Sequence, residues 1–327
     1  MAAAAVGVSR LNEVASALLG ELIAPESTPS RSPGTLLQQT RLAKTLYQAC
    51  DYERLSAHLP PLLTGVTAAA QEADGQRLIQ IHEVAAAAYH VVASLLLKTG
   101  DHPLALLAAQ RSTQHAQLSS NPVTVAASAR IMAHALASNG HTSHAVTFAQ
   151  RAAQQLQASG GLNEPNSASV YGALVLRAAI AAARMDDRDT ASILLDEGER
   201  AAARLGHDGN HHWTGFGPSN VLLHRVNVAL TLGDAGTAVS LARKVNLERI
   251  QLTERKVSLY LDVAQAYAQW GRHAQALSAL HTAYSLAPQE VSTRPTARQV
   301  VKDLIAVSSG SQRSDALRFA AAARLPL

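Results

Sequence analysis

The stretch Val257–Glu290, VSLYLDVAQAYAQWGRHAQALSALHTAYSLAPQE, decides the fold. Two runs with apolar residues at helical spacing flank Gly271, and a small residue, Ala276, follows the glycine five positions later. Glycine takes the left-handed conformation that closes a helix without the steric cost other residues meet. A small side chain five positions on lets the second helix pack back closely against the first. Pro288 ends the second run, because its ring and missing N–H cannot continue a helix. The stretch predicts a helical hairpin with its corner at Gly271.

The same phrase recurs upstream, as Gly100 to Ala105, Gly140 to Ala145 and Gly233 to Ala238, with looser copies from Cys50 to Leu55 and from Asp186 to Ala191. Successive corners stand 50, 40, 46, 47 and 38 residues apart, each between two helix-period stretches, so six hairpins are expected in series. In the last copy Tyr260, Ala264, Tyr267, Gly271, Ala276, Ala283 and Pro288 fall on the tetratricopeptide-repeat (TPR) signature, and the array resembles that family. The resemblance implies an all-α, right-handed superhelical array of about six TPR-like helical hairpins with C-terminal capping helices. An irregular Ala-rich bundle is the competing fold. Residues 35–290 are assigned to the solenoid and residues 1–34 to an N-terminal helix (Leu11–Ile23) and a Pro/Ser-rich linker (Ala24–Gly34). Residues 291–327 are assigned to basic capping helices, one over Thr296–Val307 and one capped by Ser314 and ending near Ala323.

Composition points the same way. Of 327 residues 47% are apolar, 16% charged and only 4% aromatic; Ala and Leu favour helices, and strand formers are sparse. That apolar share excludes an intrinsically disordered chain. A single cysteine, Cys50, excludes an intramolecular disulfide framework and fits a reducing compartment. Met1–Ser9 lacks the basic start of a secretory signal. No uncharged apolar run reaches the roughly 20 residues of a membrane span, so a cytoplasmic protein with no membrane partner is expected. The net charge of +4 resides in the segment from Arg294 onward, which has six basic and two acidic residues. The rest of the chain is neutral, unlike a globally basic nucleic-acid binder.

The segment Trp213–Arg225, WTGFGPSNVLLHR, and its continuation Val226–Lys244 are similar to the C-terminal sensor half of actinobacterial helix-turn-helix transcriptional regulators of the XRE/Cro type that carry TPR arrays. Leu42–Leu63, with its LYQACDYERLSAHLPPLL run, resembles the first repeat of that family, and the likeness extends over about Gly34–Ile305. It implies a regulatory, ligand-sensing array. Members of the family usually begin with a DNA-reading domain. The residues before the first repeat hold no pair of helices joined by a short Gly-containing turn, so no direct DNA binding is expected from this chain.

In TPR superhelices the first helix of each hairpin lines the concave face. Counting back from each corner places His90, Ser94 and Lys98 there, then Arg130 and His134, then Leu176 and Arg184. The last two hairpins supply Asn220, Leu223 and Asn227, and then Ser258, Gln265 and Gln269. Arg177 and His224 fall at the margin, as does Asp262, the one carboxylate of the set. Arginine's planar fork suits carboxylate or phosphate, and Asn and Gln can pair with an extended backbone. The groove is therefore expected to bind an extended acidic peptide or protein segment through His90, Ser94, Arg130, His134, Arg177, Arg184, Asn220, His224, Asn227 and Gln265. Trp213 and Phe216 are expected to serve as an aromatic loop anchor. The alternatives are a small acidic metabolite, or a ligand-free scaffold that forms a homodimer through its terminal helices.

No GxSxG, HExxH, phosphate-loop or dinucleotide fingerprint is present, so neither catalytic residues nor a cofactor is expected. His207, His211 and His212 crowd the loop GHDGNHHW, and His141 and His144 are three apart. Two histidines can share a metal, but no third ligand is fixed by helical spacing, and no metal is expected. Cys50 stands beside Asp51, whose charge raises a thiol pKa, so a packing role is expected.

Overall fold

In the computed structural model, which describes residues 8–20 and 31–326, six helical hairpins follow one another. They are α2 (Pro33–Gln48) with α3 (Tyr52–Glu72), α4 (Gly75–Thr99) with α5 (His102–Ser119), and α6 (Pro122–Ser138) with α7 (Thr142–Ala158). Next come α8 (Pro165–Ala183) with α9 (Arg188–Leu205), α10 (Pro218–Thr231) with α11 (Ala235–Ala242), and α12 (Thr253–Gln269) with α13 (His273–Leu286). Helix α1 (Val8–Gly20) packs on α3, and α14 (Pro288–Thr293), α15 (Pro295–Val307) and α16 (Gly310–Ala322) cover the other end. No strand occurs among the described residues. The all-α, TPR-like array expected from the corner phrases is the observed fold.

All six corners share one backbone geometry. Cys50, Gly100, Gly140, Asp186, Gly233 and Gly271 have positive φ, from 58° to 87°. At each corner the next residue's N–H reaches back to the carbonyl five positions earlier, from Asp51 to Leu46, Asp101 to Leu96, His141 to Leu136, Asp187 to Ala182, Asp234 to Ala229 and Arg272 to Tyr267, at 2.8–3.1 Å. This bond satisfies an orphan carbonyl at the helix end. Asp51, Asp101 and Asp187 then cap the second helix by accepting from the N–H three residues on. Five residues past each corner, Leu55, Ala105, Ala145, Ala191, Ala238 and Ala276 are fully buried. Cys50 is likewise buried and unpaired, and burial pushes its thiol well above the usual range, which suits packing rather than reactivity.

The first helices α2, α4, α6, α8, α10 and α12 pack each on the next, and α12 returns to pack on α2. The array thus closes into a ring, and the expected concave groove becomes its central cavity. One apolar cluster holds Val14, Leu36 and Leu95 from the N-terminal side together with Leu261, Val291 and Phe319 from the C-terminal side. A buried ionic clasp fastens the same seam: Lys98 Nζ lies 2.5 Å from Glu254 Oε1 and 2.8 Å from Glu290 Oε1. Tyr52 donates to the other oxygen of Glu290.

Some boundaries differ from expectation. Helix α2 begins at Pro33, inside the expected linker, because Ser32 accepts from Thr35 N–H as its cap and Pro33 suits the first turn. The rest of the linker as far as residue 30, and residues 21–23 of the first helix, lie outside the described residues. The last helix starts at Gly310 rather than at Ser314, whose hydroxyl donates back to Gly310 O at 3.2 Å as a mid-helix residue does. Helices α4 and α8 are long and apolar enough to cross a membrane by composition, but both are inner helices, and more than half of each apolar stretch is buried within the ring.

Candidate functional site

The ring surrounds a cavity of about 990 Å³ that opens to solvent, at the upper end of the range of small-molecule pockets. Its wall is built almost wholly from the first helices. Every residue expected to bind ligand in the groove lines it: His90, Ser94, Arg130, His134, Arg177, Arg184, Asn220, His224, Asn227 and Gln265. Helical spacing explains the placement, since positions three, four and seven apart form one stripe and each stripe faces the ring axis.

The expected details need five corrections. Arg177 and His224, placed at the margin by counting, stand on the wall, whereas Leu176 is fully buried in the hairpin interface against Gly198. Gln269, near the end of α12, is exposed and does not line the cavity. Lys98 is not a free cation, because Glu254 and Glu290 neutralise it. Carboxylates are present on the wall beyond Asp262, namely Glu83 and Glu254. Phe216 is no ligand anchor: it is 0% exposed and its ring occupies the place a side chain would take at Gly172 on α8. Trp213 does line the cavity, with Lys44 Nζ 5.7 Å from its ring centre.

The loop between α9 and α10 forms part of the wall and ties it to α2. Phe216 anchors one side, and Asp208 accepts from Ser219 N–H at 2.8 Å and Ser219 Oγ at 2.6 Å on the other. From this base the tip crosses to α2, where Gln48 and Asn210 exchange amide hydrogen bonds of 3.1 and 2.9 Å. His212 and Trp213 at the tip have positive φ of 47° and 61°, a conformation that costs on the order of 1–3 kcal/mol per non-glycine residue. His207 and His211 approach at 3.5 Å, but no group of three metal-ligating side chains comes together among the described residues.

Electrostatics set the cavity apart. Among the described residues Arg130, Arg177 and Arg184 pair with no carboxylate, and neither does Lys44. The buried Nε atoms of Arg130 and Arg177 have no hydrogen-bond partner. Burial, then the neighbouring Arg130, Arg184 and Arg255, lowers Arg177 to about 9. Burial and Arg255 lower Arg130 to about 10. Lys44 falls to about 8 through burial and the charges of Arg130 and Arg41. These groups still carry charge at neutral pH, so the wall holds several mutually repelling cations.

The histidines among them are kept neutral. His90 Nε2 lies 2.9 Å from Arg130 Nη2, and since arginine only donates, that nitrogen accepts and carries no proton. Burial, then Arg177, Arg184 and Arg130, holds His134 well below its ordinary value. His224 falls to about 3 through burial, Arg177 and Arg255, with its Nδ1 turned to Asn220 O at 2.8 Å. The arrangement can receive an anion with charge-assisted hydrogen bonds from several sides.

Ring, cavity and corner geometry define a helical-repeat protein of the TPR-like class with a cationic interior. No protein-family model matches the chain, and no curated protein matches it. Among solved structures it is similar to a Rap protein complexed with Competence and Sporulation Factor, with 16% sequence identity and a TM-score of 0.58 over 88% of this chain and 73% of that one. At that identity the likeness concerns the fold.

Proposed function

We propose that this chain is a cytoplasmic, non-enzymatic TPR-type receptor that takes a short acidic peptide into its central cavity and passes its occupancy to a partner. The observation that carries the reading is the pair of half-buried arginines Arg130 and Arg177, whose buried Nε donors meet no acceptor in a cavity roomy enough for a few residues. Desolvated cations are costly unless paired, so a protein that retains them gains when an anion arrives. Apolar side chains such as Val84, Val91, Ile131, Ile180 and Leu259 also line the cavity, which suits peptide side chains better than a bare inorganic anion. The Rap structure of this fold holds Competence and Sporulation Factor, which lends the receptor reading a precedent.

The closed ring supports a regulatory role. An anion among Arg130, Arg177 and Arg184 relieves repulsion between α6 and α8, and these inner helices draw together. Packed helices shift as bodies rather than deform, so the change reaches the seam between α2 and α12. A transcriptional partner of the kind suggested by the XRE/Cro likeness would read it there.

Titration of a fluorescent acidic pentapeptide into the protein tests the reading. The native chain binds, more weakly as salt rises, and the Arg130→Gln/Arg177→Gln variant loses about a hundredfold or more, as expected for two charge-assisted bonds worth about 1.5–3 kcal/mol each. Equal affinity in the variant would sink the assignment.

A further inference from the structure

The cavity wall is not cationic throughout. Asp262 on α12 lines it, and one carboxylate oxygen accepts from Asn227 Nδ2 on α10 at 3.0 Å. No lysine or arginine forms an ion pair with it among the described residues. Arg294 and Lys98 act on it only from a distance, and each is already in contact with Glu290. Burial lifts its carboxyl to about 6, the mark of a carboxylate short of positive charge. Arg130 stands on α6 and Arg177 and Arg184 on α8 and at its end, whereas Asp262 stands on α12, which α10 separates from α8 around the ring, and none of the three arginines forms an ion pair with it among the described residues.

Amides occupy the same end as Asp262. Asn220 and Asn227 are seven apart on α10, and Ser258, Asp262 and Gln265 share one face of α12; all five line the cavity. Asn220 Nδ2 is a buried donor without a partner. Asn227 spends its amide N–H on Asp262, which leaves its carbonyl oxygen as an acceptor.

A short peptide that spans the cavity lays both of its ends against the wall, and a charge desolvated there requires a countercharge. A site for an acidic group alone would need only the arginines. We infer, resting on the receptor reading above, that the ligand is bipolar: a short peptide with a free amino terminus seated at Asp262 and Asn227 and its terminal carboxylate seated among Arg130, Arg177 and Arg184. The ammonium meets a wall carboxylate with no ion-paired cation among the described residues that stands beside the amides, whereas Glu83, on α4, already accepts from Asn121 Nδ2. The backbone between the poles runs along the amide stripe.

The test uses a random pentapeptide pool in three forms: both ends free, N-acetylated, and C-amidated. Each is incubated with the full chain, separated by gel filtration and quantified by mass spectrometry. With the native protein, the free pool is retained, and acetylation and amidation each reduce retention at least tenfold. Asp262→Asn removes the discrimination against acetylation and keeps that against amidation; Arg177→Gln does the reverse. The native comparison stands whether or not a variant folds, and thermal melts check the variants. If the native protein retains either blocked pool as well as the free one, the bipolar reading is overturned. In that case, retention that still falls in Arg130→Gln/Arg177→Gln leaves the anion receptor standing. Retention of no pool at all overturns both.

Discussion

Positive φ at the corner costs glycine nothing but costs an L-residue about 1 kcal/mol or more. Four of the six corners use glycine; Cys50 and Asp186 do not. Asp186 is exposed, and its one ion pair, to Arg188, is long at 3.7 Å with both side chains in solvent, so it offsets little. Asp186→Gly is expected to stabilise the fold by roughly 0.5–1 kcal/mol, read as a higher urea midpoint at unchanged slope; a lower midpoint would mean that the aspartate does more than turn the chain. Gly172 behaves oppositely. Its helix is otherwise dense with Ala and Leu, and a methyl group there would overlap the Phe216 ring. Gly172→Ala is expected to cost about 1–3 kcal/mol, as overpacking does, and to loosen the loop above, with faster amide exchange at residues 206–217. The lone glycine was the signal in the sequence that Phe216 packs inward; a WTGFGP loop by itself reads as exposed aromatic surface.

Among the elements, the hairpins were legible because their determinants are local: a left-handed residue, a bond spanning five positions and a small residue five further on lie within one short window. The wall residues were legible too, since helical periodicity fixes which side chains share a face once the corner is placed. The seam was not. Lys98 and Glu254 are 156 positions apart and Lys98 and Glu290 192, and their meeting depends on the pitch accumulated over six hairpins. Glu254 stands in the first turn of α12, where an acidic residue already suits the helix dipole, and so gave no hint of a buried partner. The clasp can be tested directly. Lys98→Met fills similar space but leaves buried Glu254 with Arg255, at 3.5 Å, and Glu290 with Arg294, at 3.3 Å, and Tyr52. Removal of one partner of a buried set costs about 3–5 kcal/mol where the rest is left uncompensated, so with Arg255 and Arg294 still in place a loss at or below the lower end, about 3 kcal/mol, is expected. Small-angle scattering is expected to show a wider particle as α12 and α14 part from α2–α4; an unchanged profile and midpoint would show that the apolar seam alone closes the ring.

For the whole molecule, a cationic interior has a pH signature. His90, His134, His212 and His224 all line the cavity and all have lowered pKa values, His212 to about 4 and His224 to about 3, through burial and the cations around them. His90 faces Arg130, Lys44 and His212; His134 faces Arg177, Arg184 and Arg130; His224 faces Arg177, Arg255 and Arg130. In the unfolded chain these histidines take up protons near pH 6.5. Between there and about pH 4 the unfolded state therefore binds more protons than the native one, and stability falls as pH falls. Asp262 opposes this, since its raised carboxyl is protonated first in the native state, but it is one group against four. At roughly 1.4 kcal/mol per pH unit per group, the histidines dominate. The urea midpoint is expected to be clearly lower at about pH 5 than at about pH 7.5, and His134→Gln/His224→Gln is expected to narrow the gap. A bound anion supplies the charge that protonated histidines lack room for, so saturating acidic peptide is expected to narrow it as well, with protons taken up on binding at about pH 5. Equal midpoints at the two pH values would mean that the histidines are solvated and that the interior is not the desolvated cationic chamber its wall describes.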